Sequence, residues 1–239
     1  MKITAALATA PKAPFELTEL GLDDLRPDEV RVKMVATGVC HTDAIVRDQV
    51  YPTPLPAVLG HEGAGVVEEV GSMVTSVRPG DSVVLSANSC GVCEQCLTGR
   101  PAYCTDFFGR NFSGTRADCS TALGNSGSAV SSHFFGQSSF ATHVNVAARS
   151  VVKVDNDLPL QLLGPLGCGF QTGAGAVINS LRVRPGSAIA VFGTGAVGCA
   201  ALMAAAAVGA TTTVAIDIID SRLTTAKELG ATHHQQPHH

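Results

Sequence analysis

The chain has no tryptophan, two tyrosines and nine phenylalanines in 239 residues. Its core therefore has to be built from Val, Leu, Ile and many Ala. Aromatics amount to 5% and there is no basic block; 16 Lys and Arg against 20 Asp and Glu leave a net charge of -4. Those absences argue against a nucleic-acid surface, which needs clustered cations. No apolar run approaches membrane-spanning length, because Gly, Asp, Arg or Pro interrupts each one. The opening MKITAALATAPKAPFELTEL holds one early Lys and a short apolar run broken by Pro11, Pro14 and Glu16. It does not read as a signal peptide, and a cytoplasmic location is expected. The 45% hydrophobic and 15% charged content is that of a globular protein rather than a disordered one.

Eight cysteines stand against this plain background. In a chain without secretion signals, clustered cysteines point to metal or catalysis before disulfides. Cys90-x2-Cys93-x2-Cys96-x7-Cys104 can close a tetrahedral Zn²⁺ site with no open position, so such an ion is structural. It would order a Gly/Ser-rich lobe, about 88–110, that lacks a core of its own. Disulfides and an iron–sulfur cluster are the alternatives on spacing alone.

Two styles of chain follow one another. Residues 1–155 read as short strands and turns, a β-rich, barrel-type domain. Strands are predicted over 28–35, 63–70, 82–85 and 140–146. After 155 the order changes. Helical segments are predicted at 158–163 and 173–181. The apolar strand Ala188–Phe192, the helix 196–208, the strand 213–216 and the helix 221–229 then begin a parallel sheet. Residues 156–232 are read as the first part of a nucleotide-binding domain. The tail 233–239 holds four of the eight histidines and no apolar pattern, and is expected to be non-native.

Gly193-Thr194-Gly195-Ala196-Val197-Gly198 follows the apolar strand and opens a helix, the setting that gives G-x-G-x-x-G its meaning. Gly193 permits the turn, Gly195 lets a pyrophosphate approach the backbone, and Gly198 lets helix and strand pack closely. The helix start offers unpaired N–H groups. Asp217, ending the second strand, can hold both ribose hydroxyls and repel a 2′-phosphate, which favours NAD over NADP. A third group, Cys40, His61 with Glu62, and Cys168, offers two thiolates and an imidazole. On spacing alone each of these could equally be an ordinary core residue.

Gly60-His61-Glu62-x2-Gly65-x5-Gly71-x2-Val74 resembles the signature of the zinc-containing alcohol dehydrogenases of the medium-chain dehydrogenase/reductase family. Val39-Cys40-His41-Thr42-Asp43, the four-cysteine lobe, Gly167-Cys168-Gly169-Phe170-x-Thr172-Gly173 and the G-x-G-x-x-G occur in that family's order. The resemblance runs to about Thr232 and is most marked toward aryl-alcohol (benzyl alcohol) dehydrogenases. It implies a GroES-like catalytic domain followed by a Rossmann domain, one catalytic and one structural Zn²⁺, and NAD. It also implies a small-molecule alcohol or aldehyde as substrate and a homodimeric or homotetrameric assembly.

The implied roles go residue by residue. Cys40, His61 and Cys168 hold the catalytic zinc, Glu62 lies beside it, and Asp43 orients His61. Thr42 takes the alcohol proton. His41, Thr172, Val197 and Arg222 contact the coenzyme. Ile45 stands where many relatives carry a relay histidine, so the proton must leave by another route. The family's six-strand nucleotide fold is not completed here; two of its strands are expected, and the chain is read as C-terminally truncated. An inactive zinc-stabilised fragment and the glutathione-linked formaldehyde branch are the rival readings. Phe107, Phe108 and Phe112 could line a substrate pocket or pack the zinc lobe. Arg110, Arg116, His133 and His143 are expected to be ordinary solvated or strand residues, Cys119 an ordinary thiol and Cys199 a core residue.

Overall fold

The computed structural model describes residues 1–125 and 127–236. They divide into two compact units, Met1–Gly167 and Cys168–His239.

The first unit contains ten strands and three short helices in the order β1 (Lys2–Ala8), β2 (Glu16–Leu22), β3 (Glu29–Thr37), α1 (His41–Arg47), β4 (Ala57–Val58), β5 (Gly63–Val70), β6 (Ser82–Leu85), α2 (Glu94–Leu97), α3 (Phe107–Phe112), β7 (Leu123–Asn125), β8 (Ser128–Val130), β9 (His143–Ala147) and β10 (Val151–Lys153). The strands form two antiparallel five-stranded sheets, ordered β4-β1-β2-β7-β8 and β10-β6-β5-β3-β9. Each sheet turns an aliphatic face inward, as two-residue periodicity dictates. Ile3, Leu7, Leu20, Leu22 and Val58 pack one core, and Val30, Val32, Val67, Val83, Leu85 and Val146 the other. Ala141 packs against both, and a bridge from Ala5 to Ala141 stitches the sheets together. The expected β-rich, barrel-type unit is thus present, made without a large aromatic core. A third cluster, Val46, Ala57, Leu59, Phe112 and Phe134, lies under α1 and carries the site described below.

The compact unit runs on to Gly167. The predicted helix over 158–163 is instead a 3-10 turn, Leu160–Leu162, followed by a second, Gly164–Gly167. These turns stay with the first unit because Leu160 packs with Ala64 and Val84. In addition, a side chain at Gly164 would sit 2.2 Å from the Glu62 carbonyl.

The second unit runs α4 (Gly169–Gly175), a π turn over Ala176–Ser180, β11 (Ala188–Phe192), α5 (Ala196–Ala207), β12 (Thr212–Ile216), α6 (Asp220–Glu228) and β13 (His233–Gln235). Its sheet is parallel in the order β11-β12-β13. The expectation of two strands is corrected to three. The polar segment His233–Gln235 pairs with Val214–Ile216 because a parallel ladder uses backbone groups, and at an exposed edge the side chains need bury nothing. Reciprocal Thr213–Thr232 bonds of 2.9 Å between each backbone N–H and the other hydroxyl set the register. Residues 237–239 of the expected tail lie outside the described residues. Among the described residues no helix is long and apolar enough to cross a membrane.

The other sheet edge is β11, where Phe192 is 79% exposed. An exposed apolar strand edge templates association. The 239-residue chain is expected to elute larger than a monomer in size exclusion with light scattering, and Phe192→Lys to shift it toward monomer. A monodisperse monomer at high concentration would remove this expectation.

Candidate metal centres and coenzyme turn

Cys40 caps α1, and its N–H donates 2.9 Å to Asp43 Oδ2, folding the acid back over the helix start. Asp43 Oδ1 accepts the Gly60 N–H at 3.1 Å and meets His61 Nδ1 at 2.9 Å. One carboxylate thus ties α1 to the turn that carries His61. Both side chains are 1% exposed. A carboxylate can only accept, so Nδ1 carries a proton, and Nε2 is the ring nitrogen left for a ligand that displaces its proton. Nε2 is buried and makes no hydrogen bond. The ligand atoms of Cys40, His61 and Glu62 lie within 4.8 Å of one another. Burial opposes charge on His61, but Asp43, with the Cys40 sulfur beside it, overcomes that and raises its pKa to about 9. A cation in place of that proton would satisfy the orphaned nitrogen and the thiolate together, so the residues fit a soft divalent metal. The buried Glu62 lies over Gly38, where a Cβ would come 2.1 Å from Oε2; no larger residue fits there without moving it.

Thr42 stands two residues after Cys40, its hydroxyl 3.6 Å from Cys40 Sγ. His41 begins α1 and is exposed. Cys168 is the first residue of the second unit. The chain just before it is pinned within the first unit, since a Cβ at Gly167 would lie 1.9 Å from the Leu85 carbonyl.

The four-cysteine cluster lies wholly in the first unit. Its sulfurs are within 4.8 Å of one another, with Cys90 and Cys96 Sγ 3.8 Å apart, and none is in a disulfide. A tetrahedron with metal–sulfur bonds of about 2.3 Å has edges of about 3.8 Å. The disulfide alternative is thereby set aside, and the spacing suits one ion rather than a multi-atom cluster. Backbone donors already favour thiolates. The Val92 and Cys93 N–H groups approach Cys90 Sγ at 3.5 and 3.3 Å and lower its pKa, and those of Thr105 and Cys96 bring Cys93 to about 5.

In the second unit, Gly193 has φ 82, which only glycine adopts cheaply. A Cβ on Gly198 would lie 1.9 Å from the Gly193 carbonyl, so α5 can start there only without a side chain. Beside Gly195 there is open space for a bound group. Asp217 Oδ2 accepts from the Thr194 N–H at 2.7 Å and hydroxyl at 3.1 Å, and Oδ1 from the Ile219 N–H at 3.0 Å. The Thr194 and Ile219 N–H groups hold its pKa below the usual carboxylate value, so it stays anionic. Arg222 Nη1 is 3.8 Å away, Val197 is 46% exposed, and the Thr172 hydroxyl donates 2.8 Å to the Cys168 carbonyl. If the turn binds a nicotinamide coenzyme, Gly198→Ala is expected to displace it and weaken that binding at least about tenfold by calorimetry, a loss of about 1.4 kcal/mol; unchanged affinity would contradict that.

Two expectations about lesser residues are corrected. Arg116 is not solvated and His133 is not a surface or strand residue. Arg116 is buried, with Nε 2.7 Å and Nη2 3.1 Å from the two Glu29 oxygens, and His133 Nε2 lies 3.4 Å from Glu29. Sequence reading also missed Phe134, Phe135 and Gln137. The Phe135 ring stacks on the His61 imidazole at 4.6 Å and the Phe134 ring meets it edge-on at 5.5 Å. Phe107 and Phe112 extend this cluster at 6.3 and 5.1 Å from Phe135, whereas Phe108 stacks outside on Phe112 and is 57% exposed. His133–Phe140 is an irregular loop with no periodicity, so nothing in its pattern marks those residues.

Residues 26–156 match the alcohol dehydrogenase GroES-like domain. A geraniol dehydrogenase of Castellaniella defragrans is 49% identical over 98% of this chain, which spans 63% of that protein's length. Among solved structures, an alcohol dehydrogenase zinc-binding domain protein from Burkholderia ambifaria superposes with TM-score 0.97 at 56% identity. The benzyl alcohol dehydrogenase of Acinetobacter calcoaceticus superposes with TM-score 0.94 at 55%. In each case 99% of this chain covers 64% of the other. Fold, motif order and these matches agree: the chain belongs to the zinc-containing alcohol dehydrogenases of the medium-chain dehydrogenase/reductase family.

Proposed function

We propose that this chain carries the metal centre and coenzyme turn of an NAD-linked dehydrogenase that interconverts a primary alcohol and its aldehyde. The observation that carries the reading is the orphaned, buried Nε2 of His61 beside Cys40, with Asp43 fixing the tautomer. Cys40, His61 and Cys168 would hold a catalytic zinc, and Cys90, Cys93, Cys96 and Cys104 a structural one. When bound, zinc supplies Lewis acidity that lowers the alcohol's pKa, and NAD supplies the hydride acceptor.

The chain's own residues do the rest. The Thr42 hydroxyl accepts the alcohol proton. Ile45 cannot pass it on, so it leaves to water. Asp43 keeps His61 aimed while the charge beside it changes. The phenylalanines around His61 exclude water and suit a flat, apolar substrate. Two relatives are named for benzyl alcohol and geraniol. Both alcohols have a primary carbinol next to a π system, and that is the proposed substrate class, with the aryl members preferred. The anionic Asp217 disfavours a 2′-phosphate and supports NAD over NADP.

The test is absorbance at 340 nm with NAD⁺ and benzyl alcohol, geraniol or the glutathione adduct of formaldehyde. Turnover of the first two, abolished by Cys168→Ala, is expected. Turnover of the third alone favours the formaldehyde branch, and zinc without any NADH favours the non-catalytic reading. Asp43→Asn is expected to weaken zinc at the His61 site by 10–100-fold, the usual scale for a ligand's orienting partner. Competition with a chelator checks this, and unchanged retention would refute it.

A further inference from the structure

We infer that Gln137 is a positioning residue for His61, holding the backbone on both sides of Glu62 so that the imidazole is preset for its metal. The inference rests on reading His61 as a zinc ligand. Residues 137–140 run beside 59–63 like a strand. The Ser139 N–H donates 2.9 Å to the Gly60 carbonyl and the Phe140 N–H 3.0 Å to the Leu59 carbonyl. At His61 that ladder fails. The chain bends through left-handed backbone at Phe135, Gly136 and Ser138, with φ 49, 70 and 51. The N–H groups of Gln137 and Ser138 both turn back to the Phe134 carbonyl, each at 3.0 Å.

The Gln137 side chain, 1% exposed, substitutes for the missing rungs. Its Nε2 donates 3.0 Å to the His61 carbonyl and its Oε1 accepts the Gly63 N–H at 3.1 Å. The planar primary amide supplies an N–H donor and a carbonyl acceptor from one side chain. The same bend lays the Phe135 ring against the His61 imidazole. His61 is thus held at its ring nitrogen by Asp43, at its ring face by Phe135 and at its backbone by Gln137. Without the amide, the His61 carbonyl and Gly63 N–H would be buried and unpaired, and the turn would shift to rehydrate them.

The test is zinc release from the full chain to a colorimetric chelator, in wild type and in Gln137→Leu. The four-cysteine site serves as an internal control. Release from the His61 site at least about tenfold faster, with the four-cysteine phase unchanged, is expected. Cobalt substitution should show a shifted visible band for that site alone. Wild-type release from both sites, or equal acceleration of both, overturns the inference, the second because it reports general loosening. If Gln137→Leu does not fold, Gln137→Glu decides by the same readouts. It keeps the acceptor for Gly63 and loses the donor for His61, so a smaller acceleration at the His61 site is expected and none overturns the inference. A wild-type protein whose zinc content is unaffected by His61→Ala defeats the zinc reading itself, and the inference with it.

Discussion

Serine in place of Cys93 is expected to abolish metal at the four-cysteine site and unfold the lobe around it, while the sheets stay intact. Between Cys90 and Tyr103 the chain has no apolar core. Val92, Leu97 and Tyr103 are 76%, 73% and 67% exposed, and α2 buries none of its residues. On the proposed function, the lobe's order is expected to come from the ion, whose binding in small metal-folded units is worth on the order of 10 kcal/mol near neutral pH. Elemental analysis should show one fewer zinc per chain. Amide exchange should show protection lost across residues 88–110 and retained in β3 and β5. A variant that keeps its full metal content and lobe protection would show that something other than zinc orders this segment.

The second large effect is at Glu29. Glu29→Ala leaves Arg116, 8% exposed, with its main carboxylate gone and only Asp23 and the Thr121 carbonyl, each at 3.1 Å, to replace it. Breaking a buried pair from one side costs about 3–5 kcal/mol, so urea unfolding should show a loss of that size. A loss below about 1 kcal/mol, the scale of surface pairs, would mean that the cluster is effectively solvated.

The same pair makes stability depend on acid. Burial raises the Glu29 pKa, but His133 and Arg116 outweigh it and bring it from 4.5 to about 2. As pH falls, the unfolded chain binds this proton first. The contribution is therefore complete above about 4.5 and is lost between about 4.5 and 2, reaching about 3 kcal/mol in all. Glu29→Gln should flatten that segment of the stability–pH curve. A curve of unchanged slope would assign acid sensitivity to other carboxylates.

Much of the site was legible because its parts are local. Cysteine spacing within one lobe predicts a closed set of sulfurs, and in the structure these sulfurs lie within 4.8 Å of one another. A G-x-G-x-x-G between an apolar strand and a helix predicts the turn that Gly193 and Gly198 make. Asp43, three residues after Cys40, was legible as a partner of His61 only through family resemblance; its bond is to a ring in a distant turn. The lone histidine and arginine at 133 and 116 were misread, because burial of a charge depends on a partner elsewhere in the chain. Glu29 lies 87 residues from Arg116.

By itself the sequence determined the family, the alternation that builds two antiparallel sheets, the glycine turn and the two sets of candidate metal ligands. The alternation, the glycine turn and the four-cysteine set follow from short-range rules of side-chain period, turn sterics and ligand spacing; the family and the Cys40, His61 and Cys168 set follow from motif resemblance. The tertiary structure decided what surrounds those ligands. It aligned Asp43 with His61, stacked Phe135 on the imidazole, set Gln137 across the backbone of His61 and Gly63, and paired a polar edge strand at His233–Gln235. These contacts join segments 18 to 76 residues apart, as between Asp43 and His61 or His61 and Gln137. No local propensity encodes them. They form because the packed sheets bring the two segments together and burial leaves every polar group there needing a partner.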